Sequence, residues 1–228
     1  MPAARQIEII RLGDRASYRD AWDLQRNRRV AVEEGRLPNA LFLLEHSPVI
    51  TLGRRSKQSH LLRPLDEIRG MGIEVVEADR GGDVTYHGPG QLVAYPVLDL
   101  RLWRKSIRWY LRALEEVVIR QLAAYGLPAE REVPYTGVWV NGAKVAAIGV
   151  GLHNWVTFHG LALNVNPNLD HFELIIPCGG RGPQGAGRGG AGRQATSLEA
   201  LVGSAVSMER AAADFERAFC AVFEVEPC

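Results

Sequence analysis

The sequence predicts an α+β fold on three observations: short β-branched or apolar runs bounded by Gly, Pro or polar clusters, an Asn-Gly hairpin turn, and amphipathic stretches at helical spacing between them. A doubly wound parallel sheet would need strict strand–helix alternation, which is absent. The 228 residues, 46% hydrophobic and 23% charged, suit one globular domain, 1–228, with a sizeable core.

Along the chain, QIEIIRL (6–12) reads as a strand, and Tyr18, Ala21 and Trp22 begin a helix over 17–30. Further strands follow at 40–46, 49–52, 73–78 and 91–100. Ser106 caps a helix whose Ile107, Tyr110, Leu111, Leu114, Val117, Val118 and Leu122 share one face, and it ends near Gly126 and Pro128. Asn141-Gly142 joins two apolar runs in GVWVNGAKVAAIGV (137–150), which places Lys144 at the start of the hairpin's second strand. Another strand covers 157–165. Thr196 with Glu199 forms a capping-box pattern opening a short helix at 197–202, and Ser207 precedes a last helix at 208–223.

Lys and Arg number 27 against 26 Asp and Glu, so recognition of nucleic acid or an anionic membrane by net charge is not expected. MPAARQIEIIRLGD lacks the basic-then-apolar pattern of a secretion signal, and no segment approaches about eighteen uninterrupted apolar residues. Three cysteines in no framework or zinc spacing fit a reducing cytoplasm. Cys220 lies on the apolar face of the last helix, where burial is its default, and Cys228 is the final residue. Cys178 differs: it follows ELIIP and precedes Gly179-Gly180, where an ordered run gives way to chain that can approach a ligand closely. Its alternative reading is a buried loop thiol.

RGGDVTYHGPGQ (80–91) gathers Arg80, Thr85, His87 and Gln91 among glycines, a composition able to wrap a ligand with backbone N–H groups while side chains orient it. His46, His60, His153, His159 and His171 fit no metal-ligand spacing, and core or surface roles are expected for them.

RGGDVTYHGPGQLVAYPVLDL, GVWVNGAKVAAIGV, FHGLALNVNPNLDHF and IIPCG followed by ATSLE resemble, in that order, the signature of the lipoyl(octanoyl) transferases, and LLEHSPVITLGRR fits as well. The resemblance implies the biotin/lipoate ligase-type fold, a mixed, largely antiparallel sheet with flanking helices. It implies transfer of an octanoyl group from acyl carrier protein to a lysine on the lipoyl domains of 2-oxoacid dehydrogenases or on the glycine cleavage H protein, without cofactor or metal. It makes Cys178 the acyl-accepting nucleophile and Lys144 its proton-transfer partner. Arg80, Gly81, Gly82, Asp83, Val84, Thr85, Tyr86 and His87, with Ala147, Ile148, Gly149, Gly160, Leu161 and Ala162, would line the acyl and pantetheine pocket. His87 is expected to support that pocket, not to act as principal base.

The chemistry expected is exchange of one thioester for another on Cys178, then attack by an amine to give a stable amide, so no ATP is needed. On local context alone Lys144 is an exposed residue beside a turn; its role comes from the resemblance. The family runs quickly from PCG to the TSL-type segment, whereas here GGRGPQGAGRGGAGRQA (179–195) intervenes and reads as an inserted flexible loop. Its Arg181, Arg188 and Arg193, like Arg54, Arg55 and Lys57, suit an acidic carrier protein. Gly185, Gly187 and Gly190 match a dinucleotide fingerprint only formally, because no strand–helix frame surrounds them. Two rival readings are an ATP-dependent lipoate or biotin ligase and a non-catalytic scaffold for carrier domains.

Overall fold

A computed structural model describes residues 5–176 and 195–228. The elements run β1 (Arg5–Ala16), α1 (Tyr18–Glu33), β2 (Asn39–His46), β3 (Val49–Leu52), α2 (Leu65–Gly70), β4 (Glu74–Glu77), β5 (Val84–His87), β6 (Gln91–Val97) and α3 (Ile107–Ala123). They continue with β7 (Ala129–Glu130), β8 (Gly137–Val140), β9 (Ala143–His153), β10 (Val156–Asn164), α4 (Leu198–Val202), α5 (Met208–Phe223) and β11 (Val225–Pro227). Eight strands form one sheet in the order β11-β1-β2-β6-β10-β9-β8-β7, and β4-β3-β5 form a second. In the large sheet β1 runs parallel to β2 and β11, while the remaining neighbours are antiparallel. The α+β expectation therefore holds, with a mixed and largely antiparallel sheet.

ALFLLEH and QLVAYPV are continuous apolar runs because β2 and β6 are covered on both faces. On one face α3 and α5 bury Leu114, Val117, Phe215 and Phe219 against Leu43, Ala94 and Leu163. On the other, Ala21 and Val32 of α1 meet Phe42, Tyr95 and Ala162. Truncating a buried phenylalanine such as Phe215 removes about 3–5 kcal/mol of such packing. Ser106 and Ser207 cap their helices as the sequence indicates, and Ser17 caps α1, each hydroxyl accepting a backbone N–H three residues on.

Three local readings need correction. The stretch 80–91 is not all loop: Val84–His87 pairs antiparallel with β3. β6 stops at Val97, because Thr157 Oγ1 accepts Leu98 N–H and donates to the Pro96 carbonyl, and Asp99 then caps a 3₁₀ turn, Leu100–Leu102. α4 is capped by Ser197, not by a Thr196–Glu199 box. Thr196 is committed elsewhere, its N–H donating to the Lys144 carbonyl at 2.9 Å.

Candidate active site

A cleft of about 1540 Å³ opens on the α1 face of the large sheet, beneath the small sheet and a 3₁₀ segment, Leu169–Leu174. Strand β9 places Lys144 on its wall. Alternation alone would put residues 144, 146 and 148 on one face. A β-bulge between the Val138↔Ala146 and Trp139↔Lys144 pairs breaks that alternation. Val145 and Ala146 are both buried in the α3 core, which turns Lys144 onto the cleft face with Ala147 and Gly149. There Lys144 Nζ lies 5.0 Å from the centre of the Trp139 ring.

Arg80, Gly81, Gly82, Asp83, Val84, Thr85 and His87 all line this cleft, as do Ala147, Ile148, Gly149, Gly160, Leu161 and Ala162. Tyr86 does not: alternation in β5 buries it in the small sheet's own core against Phe172, with its hydroxyl 2.7 Å from His171 Nδ1. Cys178 lies outside the described residues, as does almost all of the Gly-rich 179–195 tract. The chain enters and leaves that stretch at the cleft, since Ile176 and Ala195 both line it. Ile176 N–H donates to the His60 carbonyl, and Ala195 pairs with Lys144 itself.

Arg80 is buried and holds its own loop. Its Nε and Nη2 donate to Thr51 Oγ1, Nη2 also donates to the Thr51 carbonyl at 2.6 Å, and Nη1 donates to the Gly81 carbonyl. Gly81 N–H then binds the Val150 carbonyl at 2.8 Å, so the turn sits directly on β9. This is what Gly149 is for: a Cβ there would stand 2.9 Å from the Gly81 carbonyl oxygen. Gly160 does the same for β6, because its Cβ would meet the Ala94 oxygen at 2.1 Å.

Behind Arg80, Tyr18, His46, His87, Tyr95 and His159 form a buried cluster with neighbouring ring centroids 5.2–6.4 Å apart. Burial holds the His46 imidazole down at about 4. His87 is pushed well below its ordinary value, first by burial, then by the repulsion it would meet if His46 were protonated with it, and then by the Arg80 charge, so both rings are neutral at pH 7. Hydrogen bonds set the tautomers: His46 Nδ1 donates to the Ala16 carbonyl while Nε2 accepts from Tyr95, and His87 Nδ1 donates to Gln91 Oε1. Gln91 donates to Asn164, whose amide donates to the Thr196 carbonyl, so a polar chain links His87 to the strand pairing of Lys144.

Sequence reasoning left Tyr18, His46, Tyr95, His159 and Asp79 out of the site. The first four fall in separate elements and Asp79 in the segment between β4 and β5, and a lone histidine in an apolar run carries no local signal. Cys220 packs beside the α3–α5 core, where burial raises its thiol, and Cys228 is exposed; neither lines the cleft. Among the described residues no group of His, Cys, Asp or Glu is arranged to hold a metal, and no helix is long and apolar enough to cross a membrane.

Residues 17–220 match the family model for the lipoyl protein ligase A/B catalytic domain. Curated relatives include an octanoyltransferase of Chloroflexus aggregans, 43% identical over 98% of this chain and 97% of its own. Another, from Roseiflexus sp., is 46% identical over 98% of this chain and 90% of its own. The same fold appears at 16% identity in a lipoate-protein ligase A bound with ATP, with a TM-score of 0.75 over 98% of this chain and 87% of that one. A bi-partite lipoate protein ligase from Thermoplasma acidophilum gives 0.74 over 98% and 86%. By the family match and the full-length identities, the chain belongs to the lipoyl protein ligase A/B catalytic-domain family, among its octanoyltransferases.

Proposed function

We propose that the chain transfers an octanoyl group from acyl carrier protein to the lysine of a lipoyl domain, through a thioester on Cys178 with Lys144 as the proton-transfer partner. The observation that carries the reading is the convergence on one cleft of Lys144, turned inward by the β9 bulge, and of both described ends of the segment bearing Cys178. Ile176, a cleft residue, stands two positions before Cys178 in the sequence.

A cysteine thiol titrates near about 8.5, and a neighbouring ammonium favours the thiolate. The thiolate attacks the donor's thioester carbonyl, and the departing pantetheine thiolate takes a proton from Lys144. The acceptor lysine then attacks the acyl-cysteine and surrenders its proton to the now neutral Lys144, as the amide forms and the Cys178 thiolate is regenerated. No ATP enters the balance. Exposed Arg54, Arg55 and Arg63 stand on the cleft's lining, suited to an acidic carrier protein and its phosphopantetheine arm. Past Gly137, where β8 pairing ends, the lining continues over β9 to Val150, Leu152 and to Ile107 and Leu111 of α3. That apolar shelf gives an acceptor a way in beside the donor.

Mixing the protein with octanoyl carrier protein and weighing it intact tests the reading. The expected result is a covalent octanoyl adduct that Cys178→Ser abolishes and that a lipoyl domain discharges. Octanoylation from free octanoate and ATP without any thioester donor would favour a ligase instead, and a wild type that never gains the adduct refutes the cysteine route.

A further inference from the structure

His159 stands where a strand residue on its parity should not. Its β-register partner is Val150, which packs toward the α3 core, so regular alternation would send both side chains that way. Instead His159 has φ 53°, a left-handed conformation rare for a residue with a side chain. The twist swings its ring onto the opposite face, against Tyr18, Trp22 and Tyr95. Two side chains from other elements hold it there: Asp79 Oδ1 accepts from Nε2 at 2.7 Å, and Gln25 Oε1 accepts the backbone N–H at 2.7 Å. The remaining ring nitrogen, Nδ1, is buried with no partner among the described residues, although the ring lines the cleft. Ordinary packing explains neither the backbone strain nor the unpaired nitrogen, and features of this kind gather at functional sites.

Distance supplies the second argument. His159 pairs six residues along β9 from Lys144, one of them absorbed by the bulge. At about 3.3 Å per residue the two Cα positions are about 17 Å apart along the sheet. Between them Ala162 and Gly160 form a floor without bulk, with Arg80 and Gly81 along one side and His87 and Tyr95 along the other. The side chains of Lys144 and His159, which both reach into the cleft, and contacts of about 3–4 Å at each end take up part of that span. An extended eight-carbon acyl chain, advancing about 1.3 Å per bond of about 1.52 Å, fills about 9 Å.

We propose that His159, held by Asp79 and Gln25, is the stop at the inner end of the acyl slot and sets the length of acyl chain the protein accepts. The inference rests on the acyl transfer proposed above. Shorter chains leave the ring uncontacted, and chains two carbons longer collide with it.

The test is a single competition mixture of hexanoyl, octanoyl, decanoyl and dodecanoyl carrier proteins, with the acyl adducts weighed together. Glycine adopts φ near 50° without strain, so His159→Gly removes the ring and relieves the backbone; His159→Asn, which also tolerates that conformation, is the second variant. Because the readout is a ratio within one sample, loss of folded protein lowers all adducts alike. The expected outcome is a decanoyl-to-octanoyl ratio at least tenfold above wild type in His159→Gly, with a smaller rise in His159→Asn. Variants that form adducts in the wild-type ratio overturn the gauge and leave the transfer reading intact. A wild type that forms no adduct with any chain overturns both.

Discussion

Arg80 shows how a residue can line a cleft and still do something other than its type suggests. A cation in a glycine-rich turn suggests a hand for an anionic ligand, yet four of its hydrogen bonds go to Thr51 and Gly81. Its planar fork fixes the turn that walls the slot, and its charge helps keep His87 neutral. Lysine cannot reproduce the fork. Arg80→Lys is expected to lower the unfolding free energy by about 1–3 kcal/mol, with Thr51→Val costing a similar amount. In a double-mutant cycle by urea denaturation the two losses should overlap by more than about 0.5 kcal/mol, and plain additivity would show that the fork is not the link. Arg80, Thr85 and His87 are legible because they sit in one short motif where their types are unusual, whereas Lys144 stands out only through the family resemblance. Tyr18, His46, Tyr95 and His159 come from four separate elements, and only the sheet order makes them neighbours.

At the scale of elements, the sequence shows strands and helices wherever periodicity is strong, including the hairpin and the helices starting after Ser17, Ser106 and Ser207. It does not show the β9 bulge, because a bulge is a relation between two strands and leaves no mark in either. Nor does it show how the slot's wall is tied to the approach to Cys178. His60 supplies that tie: its Nδ1 donates to Asp83 Oδ1 at 2.7 Å, and its carbonyl accepts from Ile176 N–H. The same carboxylate oxygen also accepts from Val84 N–H, so one oxygen joins the turn, β5 and the chain leading to residue 178. Leu61 bridges Ile175 beside it. His60→Ala should slow single-turnover acyl-enzyme formation about tenfold or more, as expected for loss of a hydrogen bond of about 1.5–3 kcal/mol, with little change in donor KM. His60→Asn, which keeps an N–H donor, should recover most of the rate. Equal rates in all three proteins would remove His60 from the path.

For the molecule as a whole, the buried imidazoles tie stability to pH in a definite direction. His46 is neutral in the fold with a pKa of about 4, whereas in the unfolded chain it titrates near about 6.5. Between those values the unfolded chain binds the extra proton, so the stabilisation is complete above about pH 6.5 and is lost as the pH falls toward 4. For His46 the full loss is about 3 kcal/mol, and His87 and His159, both depressed chiefly by burial, act with the same sign. Carboxylates titrate mostly below about pH 4.5, which leaves the range from 6.5 to 5 to the histidines. The sequence does not show this, since six histidines scattered through 228 residues fit core or surface roles equally until the sheet gathers three of them behind Arg80. Urea denaturation at pH 7.5, 6.5, 5.5 and 5.0 should therefore show a falling midpoint at constant m-value, with the slope reduced in His46→Gln. Such a variant keeps a side chain able to bond Tyr95 but has nothing to protonate. A midpoint that stays level from pH 7.5 to 5, or a slope unchanged in His46→Gln, would mean that the cluster is protonated in the fold or open to water, and the neutral tautomers assigned to the slot's inner wall would fall with it.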